Sequence, residues 1–296
     1  MQNFLKKYVY ILYNGINILK VTKGDKMIDN LIIVRGAGDI ATGVIHKLHR
    51  CGFNVLALEV KNPLSIRRKV CFSEAIYDGE VCIDNVTCKF VKNEQELKDA
   101  FNLRNACVAI DPQGDLIYKL KPKVVVDAII AKKNIGTNIN MAPITIGLGP
   151  GFFAGKDVDF VIETMRGHNL GKIIDKGFAI KNTGIPGNIN GFSKERVVYS
   201  KESGIIKNIC DIGDIVKKNQ VIATINTGNK YVEVLATMDG LLRGMIRDGS
   251  NVSKNLKIAD IDPRVDEIKN CDTISDKARC VAGGVLEAIL MNWSDI

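Results

Sequence analysis

Apolar positions in this chain form short continuous runs before they form anything else. Leu31–Val34 and Val55–Leu58 are two such runs, and Ala106–Ile110 and Val124–Ile130 are two more. Runs of this length bounded by turn residues are typical of strands buried on both faces of a parallel sheet. Between the first two, Val44, Leu48 and Cys51 share one face at helical spacing, and Gly52 closes that helix. The polar segment "NEQELKDAF" predicts a second helix ahead of Ala106. Alternating strand and helix point to a parallel α/β domain over 31–135.

The pattern then changes twice. Residues 136–194 are rich in glycine and irregular, with one clear strand at Phe160–Glu163, and read as a mixed region packed on the first domain. From 195 to 263, "SGIIKNICDIGDIVKKNQVIATI" and "DGLLRGMIRDGSNVSKNLKIADID" echo each other as short strands with Gly-Asp or Asp-Gly turns. Such an internal repeat predicts a small β domain with two-fold pseudo-symmetry. Residues 264–296 carry a capped C-terminal helix, "SDKARCVAGGVLEAILMNW", in which Gly283 and Gly284 imply close packing. Residues 1–30 read as an N-terminal extension without a signal-peptide cleavage site. The expected fold class is therefore α/β: a Rossmann-like parallel sheet domain plus a small all-β barrel-sandwich of biotinyl/lipoyl type.

Composition narrows the function classes. The chain has 296 residues, 46% of them hydrophobic and 25% charged, as expected of an ordinary soluble globular protein, and without a secretory signal a cytoplasmic location is expected. Its net charge is +8, but the basic residues come in isolated pairs without interleaved aromatics, so nucleic acid is not an expected partner. Asn134 to Gly155 holds no charge for 22 residues, yet its Gly, Pro and Asn content excludes a membrane helix. Eight cysteines show no C-x-x-C spacing and no paired histidines, so no metal site is expected and reduced thiols are the default.

Four motifs bear on chemistry. "GAGDIATG" follows a strand and opens a helix, with Gly36, Gly38 and Ala41 at G-x-G-x-x-(G/A) spacing. Gly36 allows a tight turn, and Gly38 lets backbone approach a ligand at a helix N-terminus. Glu59 ends the next strand, where an acidic residue binds a ribose hydroxyl. Asp39 at the helix start argues the other way, since its carboxylate takes an anion's place; a nucleotide site and a bare scaffold turn both stand. "GLGPGFFAG" supplies Gly147, Gly149 and Gly151, read either as tight turns or as backbone beside a ligand. "RGHNLG" places Arg166 and His168 beside Glu163, an anion site or a solvent-facing turn. Cys271, close to the C-terminal helix cap, is either a low-pKa thiol or an idle buried one. In the β region Ile225 to Gly240 has the spacing of a biotinyl carrier, but Asn229 stands at the lysine position, so no biotin or lipoate is expected.

"RGAGDIATGVIHKLHRCGF", "AIYDGEV", "GLGPGFFAGKDVDFVIETMRGHNLG", "TGIPG", "IDPR" and "SDKARCVAGGVLEAIL" together resemble the family of selenium-dependent molybdenum hydroxylase maturation proteins, the YqeB type, from about residue 31 to 291. The "GAGDIATG" part is also similar to the Rossmann part of XdhC-type molybdenum cofactor chaperones. The resemblance implies an accessory factor assisting incorporation of molybdenum cofactor or labile selenium. Its partners would be the hydroxylase apoenzyme and other proteins of the selenium and molybdenum cofactor pathway. The implied ligand is molybdenum cofactor or a nucleotide, near Gly36, Gly38, Asp39, Ala41, Glu59, Gly147, Gly149, Gly151, Arg166 and His168. Arg166, His168 and Cys271 are the candidates for chemistry. The residues alone leave a second reading, a small nucleotide-dependent oxidoreductase using Gly36–Ala41.

Overall fold

The structure is a computed structural model that describes residues 28–295. The expected N-terminal extension, apart from its last three residues, lies outside them.

In chain order the first part comprises β1 (Leu31–Arg35), α1 (Asp39–Arg50), β2 (Asn54–Glu59), α2 (Ala75–Asp78), β3 (Glu80–Ile83), β4 (Val86–Phe90), α3 (Glu94–Asn102), β5 (Ala106–Ile110), α4 (Asp115–Leu120) and β6 (Val124–Asp127). It continues through β7 (Ile144–Leu148), β8 (Phe153–Ala154), β9 (Phe160–Ile162), β10 (Ile173–Ile174) and β11 (Gly177–Phe178). Nine of these strands form one sheet in the order β10-β9-β7-β6-β1-β2-β5-β4-β3. Every pairing from β9 across to β4 is parallel.

Side chains alternate between two cores, as the period of two requires. Ile32, Val34, Val55 and Ala57 face the layer containing α1 and the C-terminal helix. Leu31, Ile33, Leu56 and Leu58 face α3 and α4. The strands can be apolar throughout because both faces are covered.

The second part comprises β12 (Val197–Tyr199), β13 (Gly204–Asn208), β14 (Ile215–Val216), β15 (Val221–Asn226), β16 (Tyr231–Leu235), β17 (Gly240–Met245), β18 (Asn251–Val252) and β19 (Lys257–Asp262), followed by α5 (Asp276–Met291). The echo heard in the sequence is physical. Gly204 and Gly240, at φ +156° and +157°, open equivalent strands; a Cβ on either would lie 2.2 Å from Asn226 O or 2.5 Å from Asp262 O.

Two features correct the expected fold class. The large sheet is mixed rather than a Rossmann-like parallel sheet, because β3–β4 and β9–β10 pair antiparallel at its edges. Asp84 and Asn85, both at positive φ (46° and 64°), form the two-residue turn that folds β3 back on β4. Residues 163–172 reverse the chain so that β10 returns along β9. The second correction concerns the β region, which forms two four-stranded antiparallel sheets, β12-β19-β17-β14 and β16-β15-β13-β18, in place of the single barrel-sandwich expected. The repeats exchange strands: β14 of the first half pairs with β17 of the second, and β18 of the second pairs with β13 of the first. One apolar core, with Ile206, Ile222, Leu242 and Ile258, fills the space between them.

The β region is fastened to the large sheet by charge. Arg247 donates to Asp78 Oδ1 and Oδ2 at 2.6 and 3.0 Å and to Glu74 Oε2 at 2.8 Å, with its guanidinium 4.5 Å from the Tyr77 ring centre. Arg68 pairs with Asp211 and Lys69 donates to Ile212 O at 2.6 Å.

Candidate functional site

Strand order reverses at β1: β2 lies on one side of it, and β6, which follows β5 in sequence, lies on the other. In open α/β sheets ligands collect at the carboxyl ends of the strands at such a point. Here those ends are Arg35–Gly36, Glu59 and Asp127–Ala128, and a cavity of about 330 Å³ opens between them. Its floor is Gly36, Gly38 and Asp39, with Glu59 at one side. Val60, Pro63 and Leu64 form one apolar wall, and Ala128, Ile129 and Ile130 form the other.

The loop geometry follows from its residues. Gly36 sits at φ +95°, where a side chain is strained, and donates to Leu58 O at 2.7 Å; a Cβ there would crowd Ala128 O at 3.1 Å. A Cβ on Gly38 would meet nothing within 4 Å. Gly38 caps α1 without a side-chain hydrogen bond. Glu59 accepts from Ala37 N–H at 2.9 Å and Val60 N–H at 2.8 Å, so its carboxylate holds the loop as well as lining the cavity. Burial pushes the Glu59 carboxyl above its usual range, and those two bonds oppose the shift.

A buried polar trio fixes the opposite wall. Arg35 and Asp127 are 3% and 2% exposed. Arg35 Nη1 donates to Thr137 Oγ1 and lies 3.5 Å from Asp127 Oδ2, while Thr137 Oγ1 donates to that same oxygen at 2.5 Å. Asp127 Oδ1 accepts from Ile129 N–H at 3.1 Å. Beyond it Ile130 holds φ at +58°. That conformation is strained for a β-branched residue, and strain of this kind gathers at ligand-binding walls.

Of the residues singled out in the sequence, Gly36, Gly38, Asp39 and Glu59 line this cavity. Ala41 is buried in the core beneath α1. Gly147, Gly149 and Gly151 face the protein's own groups: a Cβ on them would meet the Phe152 ring at 2.5 Å, Thr164 Oγ1 at 2.5 Å and Lys133 Cα at 2.7 Å. Their freedom serves tight packing. Arg166 and His168 are exposed on the 163–172 turn, which Glu163 staples by accepting from Met165 N–H at 2.7 Å and Ile180 N–H at 2.8 Å. Cys271 does not sit at the helix start, where Ser275 is the cap. It is buried in the β-region core, and burial raises its thiol despite nearby Arg243, Arg67 and Lys69. Asn229 lies between β15 and β16.

Three motifs far apart in the chain pack on one another, and of them only "GAGDIATG" also lines the cavity. A Cβ on Gly43 of α1 would lie 2.8 Å from Ala278 of α5, and one on Gly284 would lie 2.1 Å from Gly171 O. Cys280 Sγ donates to Leu170 O at 3.2 Å, and Arg166 forms two bonds to Asp276, at 3.0 and 3.2 Å. Arg67 links Asp39 (3.3 Å) to the carbonyls of Asn270 and Thr273. Sequence reading missed Lys277, which lies within electrostatic reach of Arg166, Asp39, Glu163 and Asp276; burial first, then Arg166, lowers its amine. Helical spacing on "SDKARC" gives no hint of this, because Arg166, Asp39 and Glu163 come from residues more than a hundred positions away.

No family model matches the chain. The chain is similar to an uncharacterized protein, YqeB, of Escherichia coli (strain K12), with 46% identity over 261 residues, which are 88% of this chain and 47% of that protein. The chain thus spans about half the length of the curated relative it matches. Among solved structures it is similar to a succinylglutamate desuccinylase from Silicibacter sp. TM1040, at 13% identity over 80% of this chain and 85% of that one, TM-score 0.24. It is also similar to the ectoine utilization protein EutE from Ruegeria pomeroyi, at 10% identity over 78% and 85% of the two chains, TM-score 0.25. An aspartoacylase family protein from Mesorhizobium loti gives 12% identity over 78% and 84%, TM-score 0.25. At TM-scores this low the likeness carries no argument about function.

Proposed function

We propose that this chain is an accessory factor in the maturation of a selenium-dependent molybdenum hydroxylase, and that it binds a small cofactor or cofactor precursor in the cavity at the β1–α1 loop. The observation that supports the reading best is the meeting of the sequence motifs in space. "GAGDIATG", the "RGHNLG" turn and "SDKARCVAGG" are far apart in the chain, yet they pack backbone to backbone around one end of the large sheet. They are also the motifs in which the resemblance to maturation proteins resides. Tight backbone packing of this kind positions Asp39 at the cavity floor, with Arg67 behind it.

In this account the chain's residues bind and orient. Gly36 and Gly38 keep the floor low, Glu59 offers carboxylate acceptors, and the Arg35–Asp127–Thr137 trio holds the Ile129–Ile130 wall in place. Cells lacking the protein provide the test. The molybdenum hydroxylase isolated from them is expected to be inactive and to lack selenium, molybdenum or both. A hydroxylase with full metal and selenium content and full activity would overturn the proposal.

A further inference from the structure

The cavity at the β1–α1 loop has the outline of a nucleotide site but the wrong charge for phosphate. Among the described residues its titratable lining groups are the two carboxylates Asp39 and Glu59, and neither lysine nor arginine lines it. Where a phosphate-binding loop leaves the first helical turn free for an anion, here Asp39 occupies that turn. Arg67, the nearest cation in the hydrogen-bond network, lies behind the floor and is taken up by Asp39 and two carbonyls.

What the cavity does offer is acceptors and apolar walls. Each Glu59 oxygen accepts one backbone N–H and keeps a lone pair. Asp39 adds negative charge at the floor, its Oδ2 held by Arg67 and its Oδ1 buried without a hydrogen-bond partner among the described residues. Val60 and Leu64, 43% and 41% exposed, face Ile129 and the strained Ile130 across the opening. At about 330 Å³ the space is at the small end of the range of about 300–1000 Å³ seen for ligand pockets, which suits one ring system with its sugar.

We infer that this cavity binds an uncharged heterocycle bearing N–H and O–H donors, of the purine-nucleoside class, in preference to any phosphorylated form of it. The ring lies between the Val60–Leu64 and Ile129–Ile130 walls, and its donors meet Glu59 above the negative floor that Asp39 supplies. A 5′-phosphate would face the two carboxylates at close range, while Arg67 behind the floor is already engaged by Asp39 and two carbonyls. The inference rests on reading this cavity as the ligand site of the proposed function, and it names the ligand chemistry.

Calorimetric titration of the full chain with adenosine and guanosine, each against its 5′-monophosphate, and with NAD, tests it. The result expected is saturable binding of at least one nucleoside, at least about tenfold tighter than its monophosphate and than NAD. Asp39→Asn should narrow that ratio, and Val60→Trp should abolish nucleoside binding with the thermal midpoint unchanged. Leu64→Trp repeats the blocking test from the same wall. Binding of a monophosphate or NAD as tight as the nucleoside would overturn the inference, as would the absence of saturable nucleoside binding. If nucleosides fail to bind while the hydroxylase from cells lacking the protein is still short of molybdenum or selenium, this inference falls and the maturation reading stands.

Discussion

Asp262 closes β19 with its side chain fully buried, and it offers a measurable pH signature. Its Oδ1 accepts from Arg264 N–H and Nε, both at 3.0 Å. Its Oδ2 accepts from Arg264 Nη2 at 2.7 Å and Arg243 Nη1 at 2.8 Å. Burial acts to raise this carboxyl, but the four donors outweigh it and hold the pKa at about 2. An unfolded aspartate titrates near 3.9, so the difference is about 2 units, worth about 2–3 kcal/mol. Because the folded value is the lower one, this stability is fully present above about pH 4 and is lost as pH falls from there to about 2. Asp262→Asn removes the charge and leaves Arg243, whose Nε already lacks a partner among the described residues, with a neutral neighbour. In urea titrations the variant should be less stable than the parent at pH 7 by about 3–5 kcal/mol, the usual cost of breaking a buried pair. The gap should shrink by about 2 kcal/mol between pH 5 and pH 2. A gap that stays constant over that interval would refute the assignment of Asp262 as the charged hub of the β region.

Three further predictions concern packing, the junction and the thiols. Gly284→Ala places a Cβ 2.1 Å from Gly171 O, so α5 must shift, and thermal unfolding should show a loss of about 1–3 kcal/mol. Arg247→Met strips the buried Glu74 of its cation; discounted for the partial exposure of Arg247, the cost at pH 7 is about 1–3 kcal/mol by urea titration. That cost should ease in acid, because burial has already raised the Glu74 carboxyl. Cys51, Cys82 and Cys280 are exposed and should react with a thiol reagent in the native protein, whereas Cys71, Cys88 and Cys107, whose thiols burial raises, should react only on unfolding.

The sequence revealed the strands that are buried on both sides, because short, nearly continuous apolar runs bounded by turn residues mark strands of this kind. Leu31–Arg35, Asn54–Glu59, Ala106–Ile110 and Val124–Asp127 all pair in parallel. It did not reveal β7, since "ITIGL" sits inside a stretch so rich in Gly, Pro and Asn that it reads as loop. Nor did it reveal the β3–β4 hairpin, whose Asp84-Asn85 turn lacks the glycine that usually marks one. Those edge pairings turn a parallel expectation into a mixed sheet. For the site, Gly36, Gly38 and Glu59 were legible because turn, helix start and strand end recur at fixed spacing. The far wall was not. Ile129 and Ile130 look like the end of a strand, and it takes the Arg35–Asp127–Thr137 trio to turn them across the cavity. The glycines at 147, 149 and 151 read equally as ligand access or as packing, and only the neighbours Phe152, Thr164 and Lys133 show which groups they meet.

The central claim is that the cavity serves hydroxylase maturation, and one measurement addresses it directly. Cells lacking the protein are supplied with either the parent chain or Val60→Trp at equal level, and the molybdenum and selenium content of the purified hydroxylase is determined. The account predicts that the parent restores both elements and activity, while the blocked cavity leaves the enzyme deficient. Equal restoration by the two chains would contradict it.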